Sequence, residues 1–399
     1  MEALYPKLWP KRIIPDEVSA MRSAGVAKTA FITGATGQDG LYLAAYLIFH
    51  CKDYDYTVYG LVRKNSATIP MLHQYQAYLS TLEISQSRKL VLVYGDVTDQ
   101  LFMYNTIQKC KPDEIYNLAA LSQVQHSFAA PSITMQTNVS GLLNICEAVL
   151  HLNMKSTCRI FHASTSEMFG DVARKDGEDM IITENFPFNP MSPYAVSKVT
   201  NYHQVQFYKR VYNLFIVTGI SFNHESPLRQ ETFVTRKITK AVARIREGLQ
   251  DILKLGNIYA MRDWGHAFDY VGAFWLLLNK QDVSNDYIIA TKDSVTVKEF
   301  AEQTFNLAGF TNVEWVGEGI DEKLLDRSDN NRVLIEIDPQ FYRPGEVPFL
   351  KGSASRFKED FNWEPKIMWQ ETMKEMLDYD TKLAKLEAQN LLLLKEQCF

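Results

Sequence analysis

The chain is poor in cysteine, has no long apolar run and carries no excess of positive charge. Its five cysteines (Cys51, Cys110, Cys146, Cys158 and Cys398) are scattered through 399 residues. Their number is odd and no CxxC or Cys/His spacing marks a metal, so we expect reduced thiols, no metal site and a cytoplasmic setting. The net charge of −5 supplies no field that would draw nucleic acid or an acidic membrane, so neither is an expected partner. Residues 1–27 hold Pro6, Pro10 and Pro15 among mixed charges, with no continuous apolar segment, which argues against a signal peptide. Apolar runs such as Ala273–Leu278 are far too short to cross a bilayer. Internal repeats and low-complexity linkers are missing too.

What is present fits a large folded enzyme-sized core: 46% of residues are hydrophobic and 22% charged. Short runs rich in branched and aromatic residues, "KTAFIT", "YTVYGLV", "LVLVYGD", "EIYNLAA", "CRIFHAS" and "LFIVTGIS", alternate with helix-length segments. Such alternation predicts an α/β fold with a Rossmann-type, doubly wound parallel sheet. After about residue 225 the rhythm weakens. There Val297, Phe300, Ala301, Phe305 and Ala308 mark one helical face. We therefore expect an arm at 1–27, a sheet domain mainly at 28–224 and a smaller, discontinuous domain mainly at 225–377, interleaved with the first. The last stretch, 378–399, reads as a short amphipathic helical tail.

The first strand runs into "GATGQDG". Gly34, Gly37 and Gly40 permit a tight turn and close approach of backbone N–H groups to a pyrophosphate, with Ala35, Thr36, Gln38 and Asp39 completing the loop. The second strand ends in Arg63 and Lys64, followed by Asn65 and Ser66, where an NAD site would place a carboxylate. Cations and short polar donors there suit the 2′-phosphate of NADP, although a solvent-facing pair would read the same way. Asp96 and Val97 follow the third strand, in position to accept from the adenine amino group. Leu118, Ala119, Ala120 and Ser122 form a small-residue segment where the fourth strand passes the cofactor.

Tyr194 and Lys198 in "YAVSK" are one helical turn apart, and a neighbouring ammonium lowers the pKa of a phenol, preparing it as a base. Thr165, Ser166 and Glu167 in "STSEMFG" follow the fifth strand, at the carboxyl end where such sheets do their chemistry. Thr165 is placed to hydrogen-bond the same carbinol as Tyr194. Glu167 is either a second acid/base group or a loop cap.

Together "ITGATGQDG", "STSEMFG", "SPYAVSK", "NHESPLRQETFVTRKI", "GNIYAMRDWGHAFDYV" and "FYRPGEV" resemble the GDP-mannose 4,6-dehydratase family of the extended short-chain dehydrogenase/reductase superfamily, from about Thr29 to Trp363. The resemblance implies that His224 and Arg229 meet NADP. It implies that Asn223 and Lys237 line a nucleotide-sugar pocket, with Arg262 and Arg343 on the GDP portion and Glu346 on its ribose; Ser166, between Thr165 and Glu167, is a further candidate to bind the substrate. It also implies a homo-oligomer, tetramer or dimer, in which the loop "RKNSATIP" reaches toward a neighbour. The departures are Leu228 and Gln230 in the "SPLRQ" run, Ile133 in place of a tyrosine, a longer segment between Glu167 and Tyr194, and added termini.

The implied reaction is loss of water from GDP-α-D-mannose to give GDP-4-dehydro-6-deoxy-α-D-mannose, the step that opens GDP-L-fucose synthesis. Glu167 would be the C5 base, which a 4-epimerase does not need. Another nucleotide-sugar dehydratase, an epimerase and a non-catalytic NADP sensor remain as alternatives.

Overall fold

The computed structural model describes residues 10, 12–13, 25–64, 89–171, 174–175, 178–342 and 345–397. Residues 65–70 of the "RKNSATIP" loop, Asn65 and Ser66 among them, and Arg343, all assigned roles above, lie outside the described residues. Strand β1 (Ala27–Thr33) pairs in parallel with β2 (Asp55–Val62), which pairs with β3 (Lys89–Tyr94). On its other side β1 pairs with β4 (Glu114–Asn117), followed by β5 (Arg159–Thr165). A two-stranded hairpin, β6 (Arg174–Lys175) and β7 (Glu178–Asp179), then precedes β8 (Ile216–Ser221), which lies beside β5. Covered on both faces, the strands at the middle of this sheet are buried almost throughout, which is why they read as nearly unbroken apolar runs. The chain leaves β1 toward β2 and later returns to β4 on the opposite side. The carboxyl ends of β1 and β4 therefore flank the switch point where such sheets hold ligands.

Around that sheet run helices α1 (Gln38–Ala45), α2 (Gln100–Cys110), α3 (Val124–Ala129), α4 (Pro131–Met135), α5 (Gly141–His151) and α6 (Pro193–Tyr212). Helix α6 starts where it does because the Ser192 hydroxyl accepts from Ala195 N at 3.1 Å and Pro193 fills the first helical position.

The second half of the chain is interleaved with this sheet. After β9 (Asn223–Glu225) come α7 (Val234–Arg246), β10 (Leu253–Leu255) and β11 (Met261–His266). Helix α8 (Ala267–Asn279) then returns to the sheet, stacking Phe274 on Phe161 of β5 at 4.4 Å, and β12 (Tyr287–Ile289) becomes the sheet's seventh strand beside β8. A separate core forms between α7, α9 (Val297–Leu307) and a long α11 (Trp369–Gln397), the latter preceded by α10 (Ser355–Phe361). All five residues of the face read from sequence, Val297 to Ala308, belong to this core.

The expected boundary at 377/378 falls inside α11, which begins nine residues before it. Met373 and Leu377 on one side and Ala384 on the other pack into the same core, and Asp380 is 2% exposed. The helix has one continuous buried face, so no separate tail begins there. Among the described residues no helix is long and apolar enough to cross a membrane.

Candidate active site

The loop after β1 is closed by its glycines. Gly34 has φ +73°, and a Cβ there would lie 2.9 Å from Ala119 N; one on Gly40 would lie 2.4 Å from Gly34 O. Gly34 holds the turn against the loop after β4 and Gly40 closes it on Gly34 and Ala35, and neither position allows a side chain. Gly37 differs: a Cβ would meet only Gly34 O at 3.3 Å, so the space before it is left open beside the start of α1. Thr33 Oγ1 donates to Asn117 Oδ1 (2.8 Å) and accepts from Ala119 N (3.1 Å), tying the two loops together. The expected cofactor residues beyond this point lie along one edge. Arg63 and Lys64 are exposed just past β2, while Asp96 Oδ1 is held by Thr98 N at 2.9 Å and Thr98 Oγ1 at 2.8 Å, beside buried Val97.

Next to the loop opens a cavity of about 680 Å³, a size suited to a substantial small molecule. Its floor is the carboxyl end of the sheet: Leu118, Ala120, Ser122, Thr165, Glu167, Tyr194 and Lys198. Its far wall brings Asn223, His224, Arg229, Lys237, Arg262 and Glu346 from the second half of the chain. Ser166 is not brought in. It is 1% exposed and does not line the cavity, because in the turn Ser166–Phe169 the side chains of Thr165 and Glu167 face outward and that of Ser166 inward. Leu228 packs on the main core, and Ile133 is exposed on α4; neither lines the cavity.

The chemistry-bearing groups lie side by side on this floor. The Thr165 hydroxyl is near enough to the Tyr194 phenol to favour its ionised form, and it accepts from Glu167 N at 3.3 Å. Lys198 Nζ donates to Ala163 O at 2.6 Å and lies 5.9 Å from the centre of the Tyr194 ring. The loop after β4 is coupled to this helix: Leu121 N donates to Asn138 Oδ1 (2.8 Å), Asn138 Nδ2 to Ser197 Oγ (2.9 Å), and Ser197 Oγ to Tyr194 O (2.7 Å).

The acidity expected of Tyr194 needs correction. Burial raises its pKa above the ordinary phenol value, outweighing the neighbouring Thr165 hydroxyl, which lowers it. Burial also brings Lys198 down to about 8, and its ammonium is engaged by a backbone carbonyl. The four-residue spacing alone carries no information about that desolvation.

Among the described residues, buried Ser221 Oγ and Asn223 Oδ1 line the cavity without a hydrogen-bond partner. Arg262 Nη2 lies 3.2 Å from Glu346 Oε1, so the two groups expected on the GDP portion meet each other on the wall. The Lys237 ammonium sits 3.3 Å over the Phe341 ring, and burial brings its pKa down to about 8. Phe341 opens the quoted "FYRPGEV" run but carries no signal of its own in sequence; its backbone is held close to Gly256, where a Cβ would lie 2.6 Å from Phe341 O.

His224 was expected to meet the cofactor. Its Nδ1 is 2.8 Å from Phe222 O and its Nε2 3.0 Å from Asp39 Oδ2, and it stacks on Tyr270 at 4.3 Å. Both nitrogens face acceptors, the arrangement of an imidazolium. Burial pulls the His224 pKa down, but Asp39 more than offsets it and the net shift is upward; burial likewise pushes Asp39 up and His224 brings it net down. The pair therefore stabilises most between the ordinary values, about 4 for Asp and about 6.5 for His. Its contribution fades as pH falls through the lowered Asp39 pKa or rises through the raised His224 pKa. In urea titrations the stability lost in Asp39→Asn should be largest near pH 5–6 and shrink in alkali. A pH-independent loss would show that the pair is not ionised.

A seven-stranded parallel sheet with a phosphate loop, a Tyr/Lys helix and an interleaved second unit defines the class: a Rossmann-type fold shared with nucleotide-sugar epimerases and dehydratases. UDP-glucose 4-epimerase of Thermotoga maritima, solved with UDP-glucose, is 19% identical with a TM-score of 0.70, covering 89% of this chain and 99% of that one. A dTDP-glucose 4,6-dehydratase from Bacillus anthracis, solved with NAD, is 21% identical with a TM-score of 0.68, covering 89% and 97%. At these identities the likeness is one of fold. The family model for GDP-mannose 4,6 dehydratase matches residues 31–376, and the chain belongs to that family. It is 40% identical to the GDP-mannose 4,6-dehydratase of Vibrio cholerae over 90% of this chain and 96% of that one. It is also 40% identical to the human GDP-mannose 4,6 dehydratase over 89% and 92%.

Proposed function

We propose that this chain dehydrates GDP-α-D-mannose to GDP-4-dehydro-6-deoxy-α-D-mannose, the first step toward GDP-L-fucose, as an NADP-dependent hydro-lyase. The observation that carries this is the meeting of Thr165, Tyr194 and Lys198 with a further carboxylate, Glu167, on one cavity wall.

The site suits a dinucleotide. Open space before Gly37 and the start of α1 fits a pyrophosphate, and the unpartnered Ser221 and Asn223 oxygens face the cavity. NADP held there would supply the hydride acceptor for oxidation at C4 and the hydride donor for reduction at C6. Tyr194, beside Thr165, takes the proton of the C4 hydroxyl. Lys198, whose Nζ lies 5.9 Å from the Tyr194 ring centre, favours the transient phenolate by its charge. The resulting 4-ketone acidifies C5–H. Glu167 accepts that proton and passes it to the C6 hydroxyl, which leaves as water, and C5 is reprotonated by the solvent-exchangeable proton that Tyr194 took up. Lys237, with Arg262 paired to Glu346, supplies charge and hydrogen bonds for the diphosphate and ribose.

Incubation of the purified protein with GDP-mannose and NADP tests this. Mass spectrometry and NMR should show a product lighter by one water, with a 4-ketone and a C6 methyl group. Unchanged GDP-mannose, or a C4 epimer with no loss of water, would refute it.

The choice of NADP over NAD rests on Arg63 and Lys64, exposed past the end of β2 with no carboxylate between Val62 and Lys64. Arg63→Asp should weaken NADP more than NAD, by roughly ten- to a hundredfold for about 1.5–3 kcal/mol of lost charge-assisted bonding. Equal weakening of both cofactors in a binding titration would remove Arg63 from the 2′-phosphate.

A further inference from the structure

Helix α7 presents neighbouring cations in opposite directions. Lys237 faces the cavity, whereas Arg236 is 5% exposed and turned away from it. Arg236 Nε lies 2.9 Å from both oxygens of Asp380, and Nη2 lies 2.7 Å from Asp380 Oδ1. Thr239 Oγ1 donates to Asp380 Oδ2 at 2.7 Å. The remaining arm of the guanidinium, Nη1, donates to Pro227 O and, at 3.1 Å, to Arg229 O. One buried guanidinium thus joins the C-terminal helix to the turn that carries Arg229. That turn presents the Arg229 guanidinium to the cavity, 3.6 Å over the Phe233 ring, with its Nε 3.1 Å from Glu225 Oε2.

A buried charge that spends its donors on two carbonyls requires a countercharge, and Asp380 provides it. Arginine can face a carboxylate with one edge and hold carbonyls with another; a lysine ammonium has neither the reach nor the fork. We propose that Arg236 and Asp380 are positioning residues for the dinucleotide: they fix the Pro227–Arg229 turn before the ligand arrives, and so make α11 part of the cofactor site. This rests on the reading that the cavity takes NADP.

The test compares two variants with the wild type, each stripped of cofactor and titrated with NADP. Arg236→Lys keeps a cation beside Asp380 but gives up the grip on the turn. Glu387→Gln breaks a different α7–α11 contact, that of Arg244 with Glu387, which does not touch the turn. Arg236→Lys should bind NADP roughly three- to tenfold more weakly, the loss expected when one side chain must be ordered on binding. In the cofactor-free protein its amides at residues 226–230 should exchange faster with deuterated water. Glu387→Gln should match the wild type in both measurements. If Arg236→Lys does not fold, Asp380→Asn, which keeps an acceptor but removes the charge, should show the same two changes more weakly. Unchanged affinity and exchange in the Arg236 or Asp380 variant overturns the proposal, as does equal weakening in Glu387→Gln. A wild type that binds no NADP overturns both this and the proposed function. NADP binding without dehydration of GDP-mannose leaves the positioning role standing and sinks only the assigned reaction.

Discussion

Tyr194→Phe is expected to lower kcat for dehydration by about 10²–10⁴-fold, the range for loss of a positioned acid/base group. Tyr194 lies beside Thr165 on the cavity floor, and the remaining ring keeps the packing of a residue that is 7% exposed. Affinity for GDP-mannose should therefore stay near that of the wild type, since the cations proposed for the diphosphate, Lys237 and Arg262, lie on the opposite wall. A defect confined to kcat marks an interaction made in the transition state. The variant should also fail to exchange C5–H with deuterated water, because C5 is not acidic until C4 has been oxidised. A large rise in KM with kcat preserved would make Tyr194 a binding residue and move the proton transfer elsewhere.

The parts of this site that were legible in sequence are those whose signal is local. Gly34 and Gly40 are dictated by contacts within a few residues or with the adjoining strand's loop. Tyr194 and Lys198 share a helix whose cap, Ser192, and first proline are adjacent in sequence. The parallel sheet was readable because burial on both faces leaves short, branched, apolar strands with helix-length crossovers.

What was not legible depends on residues far apart in the chain. Asp39 and His224 meet across 185 positions, and Arg236 and Asp380 across 144. In sequence Arg236 and Lys237 look alike; only the three-dimensional path of α11 turns one into an internal brace. The same distance in sequence hid the continuity of α11, whose packing partner α7 lies more than a hundred residues upstream. Ser166 was placed with Thr165 and Glu167 because they are consecutive, yet the turn sends it into the interior. Tyr194 was expected to be acidic because spacing shows the ammonium but not the loss of water around the phenol.

Glu167→Gln separates dehydration from every reaction that shares the Tyr/Lys pair. Glutamine keeps the shape of the side chain on the cavity wall, and the backbone N–H that caps onto Thr165 is untouched. It cannot accept a proton, so product formation should fall by about 10²–10⁴-fold. Oxidation at C4 needs only Tyr194, Thr165 and Lys198 from the protein, so it should survive. The variant should then accumulate oxidised sugar, seen as the absorbance of reduced cofactor, whereas Tyr194→Phe should show none. In deuterated water the wild type should place deuterium at C5 of the product, and the variant should leave C5 of recovered material unlabelled. A chain that instead epimerised C4 would incorporate no solvent deuterium at C5, with or without Glu167. Normal turnover and normal C5 labelling in Glu167→Gln would make the carboxylate a structural cap of the turn after β5. The C5 base would then have to be sought among the other groups on the cavity.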